Sequence, residues 1–143
     1  MRLGSSVTTI GDGAFYGCKG LSDLTIPDSV TTIGALAFGR CNSLTSMRIP
    51  AGVTEIGDGA FSGCSGITGV FVDENNACYS SDQYGVLFDK LKTTLIRCPM
   101  TFTGTYTVPD TVTAVCDNAF YYCNKLTGIT IPDSVITIGE NAF

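Results

Sequence analysis

The chain copies itself every 23 residues. Blocks that start at Val7, Val30, Val53 and Val112 carry the same order of apolar positions, and a fifth that starts at Val135 stops at Phe143. A period of that length means a solenoid, because one coil cannot bury its apolar side alone and must stack on its neighbours. Function in such a chain is expected on a surface and not in a catalytic pocket.

Each block holds a strand signal: Leu21, Leu24, Ile26; Leu44, Met47, Ile49; Ile67, Val70, Val72; and Leu126, Ile129, Ile131. The last two members are one residue apart, so they point to one side of a short strand and the residue between them points away. Pro27, Pro50 and Pro132 follow, and a residue without an N–H ends a strand. Val30 and Ile33, with their equivalents, then turn inward again. The spacing of Ala14, Phe15 and Cys18, of Ala37, Phe38 and Cys41, of Ala60, Phe61 and Cys64, and of Ala119, Phe120 and Cys123 predicts a short helical turn with one face to the core. Asp12, Asp58, Asp117 and Glu140 stand where a negative charge suits the free N–H groups of that turn, and Ala35 departs from the rule. Stacked coils would set parallel strands about 4.8 Å apart on one concave face, with the helical turns on the convex face, in an arc about 25 Å long.

The period is broken between Asp73 and Pro109, which are 36 residues apart. Gly85–Phe88 and Thr93–Cys98, joined by Asp89-Lys90-Leu91-Lys92, read as a β-hairpin inserted in the solenoid. The expected organisation is one solenoid over 1–143, α/β to mainly β, with an irregular hairpin insertion at 74–108. Because the last coil ends mid-repeat without a polar capping unit, the chain is expected to be a piece of a longer one, able to self-associate through uncapped ends.

The net charge of −5, from 13 acids and 8 scattered bases, disfavours a nucleic-acid surface, which needs clustered Lys and Arg. No apolar run reaches the roughly 20 residues of a membrane span, so no direct membrane insertion is expected. There is no histidine, which removes Ser-His and Cys-His nucleophile pairs and His-containing zinc sites. Of seven cysteines, Cys18, Cys41, Cys64 and Cys123 share one coil position and are expected to form a buried ladder of small apolar thiols. Cys78, Cys98, Cys116 and Cys123 are the better candidates for any disulfide. Asp73, Glu74, Asn75, Asn76 and Asp82 are rich in oxygen but lack the fixed spacing of a calcium loop, so a solvated loop is the favoured reading. No cofactor is implied.

The pattern Leu21, Leu24, Ile26, Pro27, Val30, Ile33, Gly34, Ala37, Phe38, Cys41 resembles the BspA-type leucine-rich repeat, over roughly two thirds of the chain. The third block departs from it with Asp73 in place of proline, and Cys116 stands where Gly11, Gly34, Gly57 and Gly139 are found. The resemblance implies a solenoid with a concave parallel sheet. It also implies proteins exposed on or secreted by mucosal anaerobic bacteria and parasitic protists, which bind host matrix or other cells.

Binding is therefore expected on the outward strand residues: Asp23 and Thr25, Ser46 and Arg48, Phe71, Thr105 and Thr107, and Thr130. Arg48 and Phe71 fall at equivalent places in adjacent coils, and Arg and aromatic side chains anchor partners well; an ordinary cross-strand contact is the competing reading. The leading expectation is a non-enzymatic module, extracellular or at a cell surface, for a protein or glycan. The alternative is a structural spacer with no ligand of its own, and no complete catalytic constellation supports an enzyme.

Overall fold

Two short strands and one column of turns recur in every regular coil, and their stacking makes a solenoid of about six turns. The computed structural model describes all residues, 1–143. In chain order the strands are β1 (Thr9–Ile10), β2 (Thr32–Ile33), β3 (Met47–Ile49), β4 (Glu55–Ile56), β5 (Val70–Val72), β6 (Tyr79–Ser81), β7 (Leu87–Asp89), β8 (Thr94–Arg97), β9 (Gly104–Thr107), β10 (Ala114–Val115), β11 (Leu126–Thr130) and β12 (Thr137–Ile138). The repeat appears directly in the register: Thr9 faces Thr32, which faces Glu55, all in parallel.

The apolar positions behave as their periodicity requires. Val30, Ile33, Phe38, Leu44, Met47 and Ile49 are fully or almost fully buried in one core, and a second core gathers around Val108, Val112, Val115 and Phe120. Phenylalanines of successive coils stack face to face, with ring centres 5.4 Å apart for Phe15 and Phe38 and 5.7 Å for Phe38 and Phe61. The stack resumes at Phe120 and Phe143, 5.1 Å apart.

The segment with Ala-Phe-x-x-Cys is not helical. Every fourth residue along it takes the left-handed conformation: Gly13 and Gly17, Leu36 and Arg40, Gly59 and Gly63, Asn118 and Tyr122, with φ between 53° and 72°. A right-handed helix cannot pass through such residues. Bonds from residue i to i−3, such as Ala14 N to Gly11 O and Tyr16 N to Gly13 O, alternate with bonds to the next coil, such as Gly13 N to Ala35 O and Phe15 N to Ala37 O. The result is a column of stacked turns in which half of the N–H groups lead to the neighbouring coil. The acid at the turn also serves that neighbour: Asp12 Oδ1 accepts from Ala35 N at 2.8 Å, and Asp117 Oδ1 from Glu140 N at 2.7 Å.

The concave strands do not form one continuous sheet. β3 pairs with β5, and β9 with β11, but β5 meets β6 and β7 and makes no pairing with β9. Val70 N donates to Gly85 O and Val72 N to Ser81 Oγ, so the segment around 81–85 stands where the next parallel strand would lie. Gly85 is needed there, because a Cβ on it would come within 2.3 Å of Gly69 Cα. The antiparallel pair β7–β8 is present, extended by β6, which carries no apolar alternation. Its second arm, β8, also pairs in parallel with β10 and so belongs to the solenoid itself.

That coil is short. Leu95 lies opposite Val115, and Cys98 N bonds Ala119 O as Phe15 N bonds Ala37 O, so three steps of chain replace the five from Val115 to Phe120. Its Ala-Phe turn is missing. Arg97 covers part of the loss by donating through its guanidinium to the carbonyls of Asn118 and Tyr121.

All seven cysteines are free. Cys41 and Cys64 are buried in the ladder and donate to Phe15 O and Phe38 O of the coil before them, whereas Cys18, in the first coil described, is exposed. Burial pushes the Cys64 thiol up to about 11.

Candidate binding surface

Strand pleating sends Arg48 and Phe71 outward because Met47 and Ile49, and Val70, are held in the core. The two outward residues are direct partners in the β3–β5 register. The Phe71 side chain is 40% exposed, a large apolar group for a sheet surface, and its ring lies over Gly69, where a Cβ would come within 2.5 Å of it. Arg48 Nη2 donates to Asp73 Oδ2 at 2.7 Å while the Arg48 side chain stays 77% exposed. The Asn75 backbone N–H and then the Arg48 guanidinium hold the Asp73 carboxyl below the usual aspartate value. A shallow depression of about 470 Å³ joins Ser46, Arg48, Phe71, Asp73 and Asn75.

The remaining outward residues are divided by the insertion. Asp23 and Thr25 are exposed on the first coil, where Arg2 bridges to Thr25 in parallel. Thr105 faces Gly128, and Thr107 faces Thr130, on the separate β9–β11 pair. A second depression of about 480 Å³ lies between Thr105, Thr107 and the insertion residues Asp82, Gln83 and Tyr84. Tyr84 is 48% exposed and packs edge-on against Phe102 and Tyr106. The structure thus brings Ser46, Arg48 and Phe71 together and leaves the threonines in another patch.

Two contributors were not evident from sequence reasoning. Asp73 was visible only as a departure from proline; that departure frees an N–H, which bonds Ile49 O at 2.9 Å, and supplies the partner of Arg48. Tyr84 lies in the irregular segment, where no period assigns a direction. The oxygen-rich stretch does not converge: Asn76 is buried, donating to Pro50 O and Val53 O, and Asp82 accepts from Tyr106 Oη.

The stacked coils, the 23-residue register and the outward strand column define a leucine-rich-repeat solenoid. The family model of the BspA type leucine rich repeat region matches in six copies, over residues 1–106 and 97–143, and the chain belongs to that family. Among solved structures it is similar to the pneumococcal vaccine antigen PcpA, at 28% identity and a TM-score of 0.95, over 99% of this chain and 36% of that one. A leucine rich cell surface protein from Faecalibacterium prausnitzii A2-165 is similar at 35% identity and a TM-score of 0.90, over 99% of this chain and 38% of that one. A leucine-rich repeat protein from Eubacterium ventriosum gives 28% identity and a TM-score of 0.69, over 99% and 50%. The chain therefore spans between about a third and a half of these solved chains. None of the curated proteins matches the sequence. No helix is long and apolar enough to cross a membrane.

Proposed function

We propose that the chain is a non-enzymatic interaction module, acting at a bacterial cell surface or in secreted form, whose outward strand residues contact a protein or glycan partner. The observation that carries this reading is the Arg48–Phe71 pair: an exposed ring beside a guanidinium that Asp73 already orients. Arg and aromatic side chains are enriched among the few residues that dominate interface energies, and an oriented guanidinium loses less entropy on binding. Exposed threonine hydroxyls at Thr25, Thr105, Thr107 and Thr130 add donors and acceptors suited to polar ligands. The similarity to the Faecalibacterium protein, a leucine rich cell surface protein, supports the location.

The test is binding to immobilised extracellular-matrix proteins, to intact epithelial cells and to a glycan array. The Arg48→Ala/Phe71→Ala double variant should bind the captured partner at least about tenfold more weakly, the effect of losing one anchor of about 1.4 kcal/mol. Unchanged affinity would remove this face from the reading. Failure of the wild type with every probe would favour a spacer that presents other parts of a longer protein.

A further inference from the structure

The break in the repeat rearranges the cysteines around it. The missing Ala-Phe turn leaves a cleft of about 630 Å³, and Arg97 and Cys116 are among the residues that line it. A Cβ at Gly34, Gly57 or Gly139 would fall 2.2–2.5 Å from an atom of the turn in the coil before. Cys116 occupies the same place and keeps its side chain, because the coil before it has no such turn.

In the regular coils each ladder thiol has one carbonyl to itself. Cys41 Sγ lies 3.0 Å from Phe15 O, and Cys64 Sγ lies 2.8 Å from Phe38 O. Cys123 holds the same ladder place, but the residue that stands in the phenylalanine position of the short coil is Cys98, whose N–H bonds Ala119 O. A second thiol thus replaces a ring. The bond of the ladder thiol is slack here: Cys123 Sγ is 3.8 Å from Cys98 O and 3.6 Å from Pro99 O, and Cys98 Sγ is 3.8 Å from the same Pro99 O. The two side chains meet at one carbonyl and hydrogen-bond each other.

Arg97 lies beside this pair. It is only 8% exposed, its guanidinium donates to the neutral carbonyls of Asn118 and Tyr121, and the one ion pair of the chain, Arg48–Asp73, is elsewhere. The ionisable groups whose charge acts on it are the thiols of Cys123, Cys64 and Cys98. A buried cation without a counter-ion is costly, and a thiolate is the anion at hand. The hydrogen bond from the Cys98 thiol, and then the Arg97 guanidinium, hold the Cys123 thiol below the usual cysteine value against the effect of burial. The same hydrogen bond, and then burial, push the Cys98 thiol up. Cys123 also keeps 8% of its surface exposed, while Cys98 has none. The pair is therefore unequal, with Cys123 the nucleophile and Cys98 the thiol that follows it.

We propose that Cys98 and Cys123 are a redox-active dithiol, which a low-molecular-weight disulfide such as oxidised glutathione converts into an intramolecular disulfide that ties the short coil to the coil after it. The Cys123 thiolate attacks one sulfur of the small disulfide; a Cys123–glutathione bond forms, the small S–S bond breaks, and one glutathione leaves and takes up a proton. Cys98 then loses its proton and attacks Cys123 Sγ, which expels the second glutathione. The protein gives up two electrons and two protons, and one small disulfide becomes two thiols. The new bond closes the 25-residue step from Cys98 to Cys123 and cross-links the region where the ladder of turns is interrupted. A setting outside the cytosol supplies oxidants of this class. The inference stands apart from binding by the outward strand face.

The test treats the reduced full chain with millimolar oxidised glutathione, blocks the remaining thiols in denaturant and maps chymotryptic peptides by mass spectrometry. A Cys98–Cys123 link is expected, and the exposed Cys18 takes up glutathione and shows that the reagent acts. The linked protein should unfold about 10 °C higher than the protein kept reduced. Cys98→Ala should leave glutathione on Cys123, Cys123→Ala should leave Cys98 unmodified, and Arg97→Gln should slow the reaction of Cys123 about threefold. Absence of the Cys98–Cys123 link once Cys18 has reacted in full overturns the proposal, as does a link between other cysteines or a first adduct on Cys98. A linked protein that unfolds no higher refutes the tie between the coils. Should the variants fail to fold, the peptide map of the unaltered protein decides alone.

Discussion

The regular coils and the interrupted segment solve the same problem in different ways. In the regular coils up to the third, backbone meets backbone: every second turn residue bonds the residue 22 positions on in the next coil, as in Gly13 N to Ala35 O, Phe15 N to Ala37 O and Phe38 N to Ala60 O. Between Asp73 and Pro109, side chains take over. Asn76 bridges Pro50 O and Val53 O to the N–H groups of Cys78 and Tyr79, the Tyr79 hydroxyl accepts from Ile56 N, and Arg97 covers the carbonyls of Asn118 and Tyr121. A repeat spreads its stability over many equivalent small contacts, while a break concentrates it in a few polar residues that cannot be exchanged. The break is therefore where single substitutions should do the most damage.

The largest effect is expected at Asn76. Its side chain is fully buried and makes four hydrogen bonds of 2.8–2.9 Å. Asn76→Leu would leave the Val53 carbonyl and the N–H groups of Cys78 and Tyr79 without partners, and Pro50 O with Val53 N alone, at a cost of about 4 kcal/mol given 1–3 for each buried unsatisfied group and imperfect additivity. Thr54→Val, which removes an exposed bond to Thr31 O from a regular coil, should stay within about 0.5 kcal/mol. Urea unfolding of both variants measures the contrast, and similar midpoints would abolish the distinction between the two regions.

A middle-sized effect separates glycines by what lies before them. Gly57→Ala would put a Cβ 2.3 Å from Ala35 N, a backbone atom that cannot step aside, and should cost about 2–3 kcal/mol. Gly11→Ala meets nothing within 4 Å and should stay within about 0.5 kcal/mol. Cys116→Ala should resemble Gly11→Ala and not Gly57→Ala. A loss at Cys116→Ala as large as at Gly57→Ala would mean that the cleft is filled, which thermal unfolding can read.

The coil period, the buried positions and the outward place of Arg48 and Phe71 were legible because period-2 and 23-residue patterns fix direction whatever the detailed backbone. The turn conformation was misread for a physical reason: Ala37, Phe38 and Cys41 have a spacing that helices and stacked turns share. The distinguishing sign lay in Gly13, Gly17, Gly59 and Gly63, residues that accept positive φ, placed four apart. The divided concave sheet was not legible, since it depends on Gly85 fitting against Gly69 across an irregular segment. The cleft had one sequence sign, Cys116 in a glycine position, whose meaning needs the shortened coil before it.

The smallest expected effect tests the surface patch itself. Asp73 has its folded-state pKa lowered, first by the Asn75 N–H and then by Arg48, so the stability this group adds is present above the unfolded value of about 3.9 and fades as pH falls through the folded one. Because the pair is on the surface, that contribution is small and salt-sensitive. A carbon-13 titration of the Asp73 carboxyl should place its midpoint below 3.9, and Arg48→Ala should raise it only part of the way back, since the Asn75 N–H remains. A full return would make Arg48 the main cause and the patch a simple ion pair. No change at all would mean that Arg48 is not held by Asp73 in solution, and Phe71 would then stand without the oriented neighbour on which the proposed surface relies.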